Sequence, residues 1–530
     1  MKSKSLGQVV PQFGLGTRRV MASFGLSLAL AASLGATTFY VATTGNDSNG
    51  GTQTAPFATI QRGVDLAKAG DTIIVGDGTY GPNGHYTCGT ICSQNGYAAP
   101  VVFYNSGTSS APITITAQNK WGAILDCQLP YGYSGDGTDG VQACDAYFDF
   151  QSNASYINIQ NFDITRGYWV GAMVNGSNNH NIQFTGNHFH HIGNRHYTVP
   201  NGTQSFGIVG VYAGTPTSYL KFDKNEFNNI GRLPTSGQSA NDYNHDHGLY
   251  VYNGPYTITN NIFYANTAGW GVQISPGTHD TLITNNTFRG PNPQQDGLIM
   301  LWADSAHPNT NITIQNNIFY NGLNYAIGSW QANEVNTVID HNIEYGSPNG
   351  MLDTSVVKGT LTLSNNRINT DPKFVSVSNN DYHLQSGSPA IDTGASVALT
   401  TDFESNPRPQ GSAVDLGSYE SAGTIGITPT ATTFSIWASA SAATLTRKQS
   451  TVIGVIATLL TGASQPATFA VSGLPPGISA SWSSGSCGLS CSSNLTLSAS
   501  AHPKTGTSVL MVTVTAGGAS QTANVTLTVN

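Results

Sequence analysis

The sequence predicts an all-β molecule, a solenoid of stacked parallel coils followed by a small β-sandwich. Three observations predict it: a repeated phrase, a sparing use of charge, and a change of character near Gly423. The phrase is two or three β-formers, a polar step, Asn, then an apolar pair. It reads NIQNFDI around Asn161, QFTGNHF around Asn187, KFDKNEF around Asn225, TITNNIF around Asn261, LITNNTF around Asn286, TIQNNIF around Asn317, VIDHNIE around Asn342 and LSNNRI around Asn366. These Asn residues recur at intervals of 24 to 38 residues, the longer intervals being the same unit with a loop inserted. A strand-borne period of this size marks a solenoid, whose units bury their apolar faces only against one another. The repeated Asn is expected at a tight bend, where it tolerates left-handed backbone and pairs its amide with its copy in the next coil. Only 9% of residues are charged, 60 are Gly and the net charge is −8. That composition fits a β-rich exported protein and excludes disorder driven by charge. Without a basic tract to neutralise phosphates, a nucleic-acid partner is excluded as well.

From the N-terminus, residues 1–36 read as an export signal. Lys2, Lys4, Arg18 and Arg19 precede the apolar run Val20 to Leu34, and no acidic residue comes before Asp47. Ala31, Ala32, Ser33 and Ala36 offer cleavage positions. The run is too short and too rich in Ala and Ser for a membrane span, so the mature chain is expected to be secreted and to cross no bilayer. TRRV at Thr17–Val20 hints at a twin-arginine signal, but the following residues fit that pattern poorly. Ala58 to Ala69 reads as a short amphipathic helix with Ile60, Val64, Leu66 and Ala67 near one face, a plug for the first coil. Asp47 to Gly51 has the look of a calcium loop but lacks its spaced ligands, so a turn is expected. Six Cys in an exported chain are disulfide formers: Cys487 with Cys491 locally, and Cys88, Cys92, Cys127 and Cys144 in one of three connectivities.

The segments FYVATTGNDSNGGTQTAPFATIQRGVDLAKAGDTIIVGDGTY (Phe39 to Tyr80) and DPKFVSVSNNDYHLQSGSPAIDTGA with DFESNPRPQGSAVDLGSYE (Asp371 to Glu420) flank the repeats. Together with the phrase, they resemble the right-handed parallel β-helix of the pectate-lyase-like superfamily. The resemblance spans residues 39 to 420 and implies a β-helix over 37–423 whose groove lies along one sheet, walled by inserted loops. It does not imply one reaction, since this fold hosts lyases, hydrolases, epimerases and adhesins. Beyond it, Thr424 to Thr433 reads as a linker. Residues 434–530 alternate with a period of two and resemble an immunoglobulin-like sandwich, either a targeting module or a spacer.

Insertions fall before a Gly-led strand in each unit: His190 to Phe206 and Asn228 to His247. Such insertions on one face of a solenoid mark a binding face. The second ends in NDYNHDHG (Asn241 to Gly248), the densest chemical cluster in the chain. Counted from the leading Gly, Phe206, His247, Trp270 and Asp296 fall in one row, with His247 and Asp296 roughly 10 Å apart across Trp270. With Leu249 and Val251 inward, Tyr250 points outward. His190, His191, Arg195 and His196 lie nearby, whereas His188 belongs to the structural phrase.

Three functions compete. A polysaccharide lyase acting on an acidic, uronate-containing chain needs a base, a proton donor and neutralisation of the carboxylate. His245 or His247 would be base, Tyr250 donor, and Arg195 or Arg232 neutraliser, with calcium an alternative for the last task. Asp242, Trp270, Asp296, Asp304 and Trp330 would bind substrate, with His307 beside Asp304. A glycoside hydrolase would use Asp246 with Asp242 or Asp296, since inverting enzymes hold their carboxyls roughly 6.5–9.5 Å apart. A non-catalytic glycan binder would use the groove alone. In each case the partner is a polysaccharide and the protein is expected to be a monomer.

Overall fold

A computed structural model of the protein describes residues 35–81, 99–133, 143–196, 207–214, 217–233, 245–267, 269–290, 297–422, 433–461 and 465–530. Three parallel sheets wrap around one apolar core, and each complete coil gives one strand to each. The first sheet has 12 strands, from Thr38–Val41 to Lys358–Ser364. The second, of short strands, has 9, from Gly78–Tyr80 to Ile343–Tyr345, and the third has 8, from Val101–Phe103 to Ile327–Trp330. The chain passes first to second sheet through the Asn bend, then to the third through the inserted loops, as the right-handed β-helix requires.

Strict alternation faces Ile113, Ile115, Ile157 and Ile159 inward from the first sheet. The apolar pair after each bend supplies the second wall: Phe189, Phe227, Phe263, Phe288 and Phe319 stack at 4.7 to 5.2 Å between ring centroids. Those rings explain a glycine row across the core. A Cβ on Gly248 would lie 3.0 Å from Phe263 and 2.6 Å from the Gly271 carbonyl, and Gly171 and Gly210 are equally confined.

The bend divides between two residues the roles expected of one. Asn187, Asn225, Asn261, Asn286, Asn317, Asn342 and Asn366 form the internal ladder. In each pair the backbone N–H and the amide of one Asn donate to Oδ1 of the next, as Asn261 does to Asn286 at 2.8 and 3.0 Å. The left-handed residue is the one before: Asn260, Asn285 and Asn316 have φ of 54 to 56°. Asn161 is itself left-handed (φ 65°), and Phe162 takes the ladder position, donating its N–H to Asn187 Oδ1 at 3.1 Å. Thus the first of the eight phrases is offset by one residue.

The outer row has its own task. Amides of Asn260, Asn285 and Asn316 donate to the carbonyls of Thr401, Asp415 and Ala395. They clasp the closing segment 371–420 against the outside of the second sheet, where Phe374, Tyr382, Phe403 and Leu416 pack on Ile262, Ile318 and Ile343. A buried ion pair, Arg408 with Glu420, fixes its end.

The plug helix (α1) spans Ile60–Leu66, shorter than expected. Thr59 caps it by accepting from the Arg62 N–H, and Asp47 in turn accepts from Ala58 N, Thr59 N and Thr59 Oγ1. Asp47 stands in a turn as expected, closed by Asn46, which accepts from Ser48 N and Asn49 N. Ile60, Val64 and Ala67 are buried but Leu66 is 37% exposed, so the apolar face is narrower than the pattern implied. Cys127 pairs with Cys144 and Cys487 with Cys491, which selects among the three connectivities; Cys88 and Cys92 lie outside the described residues. Residues 433–530 form sheets of four and five strands that share a core of Phe434, Val455, Leu497, Val512 and Leu527, and pair largely antiparallel.

Candidate functional site

The third sheet carries the Gly-led strands, and its register differs from the count made on the leading Gly. Val170, Val209, His247 and Trp270 align, so Gly210 and not Gly207 is the partner of Gly248. Val272 pairs with Ile299, which puts Gly297 opposite Trp270. The row of His247 therefore holds Val209, Trp270 and Gly297, and the two other residues counted into it, Phe206 and Asp296, lie outside the described residues. The motif glycines are not spaced equally from the core residues, because the inserted loops join the strand at different points.

His245, Asp246 and His247 cross a narrow passage between coils. A Cβ on Gly207 would lie 1.7 Å from the His245 carbonyl, and one on Gly269 (φ 65°) would lie 1.2 Å from that of Asp246. Glycine on both sides is what lets this segment reach the strand His247–Val251. Asp246 and Arg232 are fully buried and bonded to each other. Asp246 Oδ2 accepts from Arg232 N at 2.8 Å and Nε at 2.9 Å; Oδ1 accepts from Arg232 Nη2 at 2.8 Å and Ile208 N at 3.0 Å. A carboxylate with four such bonds is a clamp, placing the histidines on either side of it. Arg195 is also buried, with its guanidinium 3.6 Å from the Tyr168 ring centroid and 4.2 Å from that of Trp169.

His247 does not follow the strand's alternation. Its ring lies beside Tyr250, at 5.8 Å between centroids, and Trp270, at 5.2 Å. It is completely buried, and burial, then His245 and Arg232, hold its imidazole neutral well below the usual range. His245 is partly exposed; burial lowers its pKa, with Arg232 adding to the effect and Asp246 opposing it. Tyr250 is partly exposed too, stacked on Tyr212 at 5.1 Å. Burial raises its phenol above the usual value despite a bond with Ser275. Trp270 is buried.

Further along the same sheet Ser275 stands next to Trp302, since Ile274 pairs with Leu301. Trp302 stacks on Trp330 at 5.8 Å and 18°, and Trp330 is 49% exposed. This pair offers a flat aromatic face of the kind that covers a sugar ring. Asp304 accepts from Ala306 N and His307 N and contacts His307 Nδ1 at 3.1 Å, so it closes its own exposed turn. Asp242 lies outside the described residues. Among the described groove residues no set of carboxylates gathers into an oxygen cradle for calcium.

The geometry thus brings His247, Tyr250 and Trp270 together, while His245 stands on the other side of Asp246, which is bonded to Arg232. Trp302, Tyr212 and Asp163 were not singled out by the sequence. Trp302 ends the Gly-led stretch GLIMLW (Gly297 to Trp302), but its pairing with Trp330 appears only once coils are in register.

The sequence model for the Pel9A-like right-handed β-helix region matches residues 39–241. The solenoid is a pectate-lyase-like β-helix. Pectate lyase L of Dickeya dadantii (strain 3937) is 25% identical over 425 residues, covering 72% of this chain and 90% of that protein. Pectate lyase PEL9 of Emericella nidulans is 28% identical over 146 residues, 28% of this chain and 32% of its own. Among solved structures, that of pectate lyase Pel9A aligns with a TM-score of 0.46 at 18% identity, covering 73% of this chain and 96% of its own. In the pectate-lyase-like β-helix described here, no helix among the described residues is long and apolar enough to cross a membrane.

Proposed function

We propose that the protein is a secreted polysaccharide lyase that cleaves an acidic, uronate-containing chain by β-elimination on the third sheet. The observation that carries this reading is the contrast within HDHGLY. Asp246 and His247 are buried, while His245 and Tyr250 are the titratable groups of that segment left partly accessible. Kinship with pectate lyases over most of the chain supports the reaction class.

His245 is the base. Burial keeps its imidazole neutral near pH 7, able to accept the proton on the carbon beside the uronate carboxylate. The electron pair released forms a carbon–carbon double bond and expels the glycosidic oxygen of the next sugar. Tyr250, whose phenol burial keeps protonated, donates to that oxygen. Asp246 and Arg232 act as the clamp that places His245, in place of the direct roles expected from the sequence. Arg195, inside its aromatic box, orders the wall of the groove. Trp330 with Trp302 holds a sugar further along.

The hydrolase reading is weakened by Asp246, whose oxygens are occupied by four donors and which has no exposure. A pure binder would use the tryptophan pair alone. Incubation with soluble uronate-containing and neutral polysaccharides separates the three. Unsaturated-product absorbance rising together with reducing ends supports the lyase; reducing ends alone indicate hydrolysis, and neither signal with retained affinity indicates a binder.

A further inference from the structure

The outer face of the second sheet carries chemistry that the groove does not use. Asp163, His188 and His190 lie on neighbouring strands, Asp163–Thr165 and His188–His190, which pair with Asp163 opposite His188 and Thr165 opposite His190. His190 Nε2 is 2.6 Å from Asp163 Oδ1, and His188 Nδ1 is 3.3 Å from Oδ2. One donor atom from each of the three residues falls within 4.8 Å of the others. We propose that this triad binds one divalent first-row transition ion, represented by zinc, and so staples two successive coils together.

The donor set is two imidazoles and a carboxylate, which suits zinc, cobalt or nickel and is wrong for calcium, an ion that takes six to eight oxygens. Bonds of about 2.0–2.1 Å in a tetrahedral site place donor atoms roughly 3.3 Å apart, to be compared with 2.6 and 3.3 Å for the two His–Asp pairs and at most 4.8 Å across the set. The rings are already aimed. His188 and His190 lie nearly parallel at 4.2 Å between centroids, and Trp121 packs on His188 at 4.9 Å.

The far nitrogens have the partners that metal-bound imidazoles use to fix their orientation. With a metal on His188 Nδ1 the ring proton sits on Nε2, where Glu226 Oε1 at 3.7 Å accepts it, or the Asn228 amide at 2.7 Å once its oxygen rather than its nitrogen faces the ring. His190 Nδ1 is 3.4 Å from Thr165 Oγ1 and 2.7 Å from His191 Nδ1. The three side chains are 17 to 19% exposed, half-sheltered yet reachable from solvent. Burial works against ionisation of Asp163, but bonds from His188 and His190 hold its carboxyl down to about 2. His190 also borders a cavity of about 230 Å³ with Tyr131, Arg166 and His191, through which water can complete the coordination.

The test uses the full mature chain, treated with a chelator and dialysed, then titrated with cobalt(II) and with zinc. The expected result is one equivalent of cobalt with visible absorption of a low-coordinate site, bleached by zinc but not by calcium, and a melting temperature raised by either metal. Asp163→Asn and His190→Gln should each weaken binding by at least about 100-fold. His383→Gln, at a different histidine flanked by Asp381 and Glu404, should leave it unchanged. Should His190→Gln fail to fold by circular dichroism, Asp163→Asn decides, since it keeps size and shape. Wild-type protein without the cobalt spectrum overturns the proposal, as does wild-type affinity in the folded variants; either outcome leaves a plain Asp–His hydrogen-bond cluster.

Discussion

Asp246 shows how little of a side chain's role is carried by its identity. As one of two acids and two histidines in NDYNHDHG it reads as a catalytic candidate, yet its bonds to Arg232 and Ile208 make it the clamp of the segment. Nothing local in the sequence pairs residue 232 with residue 246; the pair exists because the insertion between them returns to the next coil. His247 differs in the same way from His245, its near neighbour. Alternation from Leu249 would place His247 in the core, yet its ring lies against Tyr250 and Trp270. Because the folded protein holds His247 neutral, the unfolded chain takes the proton first as pH falls past about 6.5. Stability due to this group is complete above that pH and drains below it, by up to about 1.4 kcal/mol per pH unit. His247→Phe should therefore flatten the fall of denaturation midpoint between about pH 6.5 and 5 relative to wild type. An unchanged slope would show that the imidazole takes up its proton in the folded state.

At the scale of the element, the phrase repeats because two rows of residues at the bend do different work. The doublets TNNI, TNNT, QNNI and SNNR contain both, the outer left-handed Asn and the inner ladder Asn. The repeat itself, the plug helix and the order of strands were legible because period and alternation are local properties. The offset of Asn161 was not, since the phrase looks alike whether its Asn takes the outer or the inner position. Register on the third sheet was illegible for a related reason: loops of different length deliver the strand, and glycine marks ring clearance rather than a fixed starting point. Asn286→Ala tests the inner row. It removes the acceptor for two bonds from Asn261 and the donors to Ile258 and Asn317, at a cost of about 1–3 kcal/mol. Urea denaturation should show that loss, whereas Thr362→Ala, at an exposed position of the strand Lys358–Ser364, should stay within about 0.5 kcal/mol.

For the whole molecule, the closing segment is part of the solenoid's structure, because the outer Asn row and the Arg408–Glu420 pair bind it to the coils. The sheets of 433–530 have a core of their own. We therefore expect a chain ending at residue 422 to fold and to keep its turnover on soluble polysaccharide, as independent domains do. Loss of its cooperative melting transition would show that the two parts complete one core. We propose that elimination occurs at His245, on the third sheet, beside the clamp of Asp246 and Arg232. The most direct measurement is the initial rate of unsaturated-product formation by wild type and His245→Ala on the best uronate polysaccharide, at equal protein and matched melting temperature. A fall of at least about 100-fold, with the melting temperature preserved, is the predicted result. Equal rates would contradict it and move the chemistry off this segment.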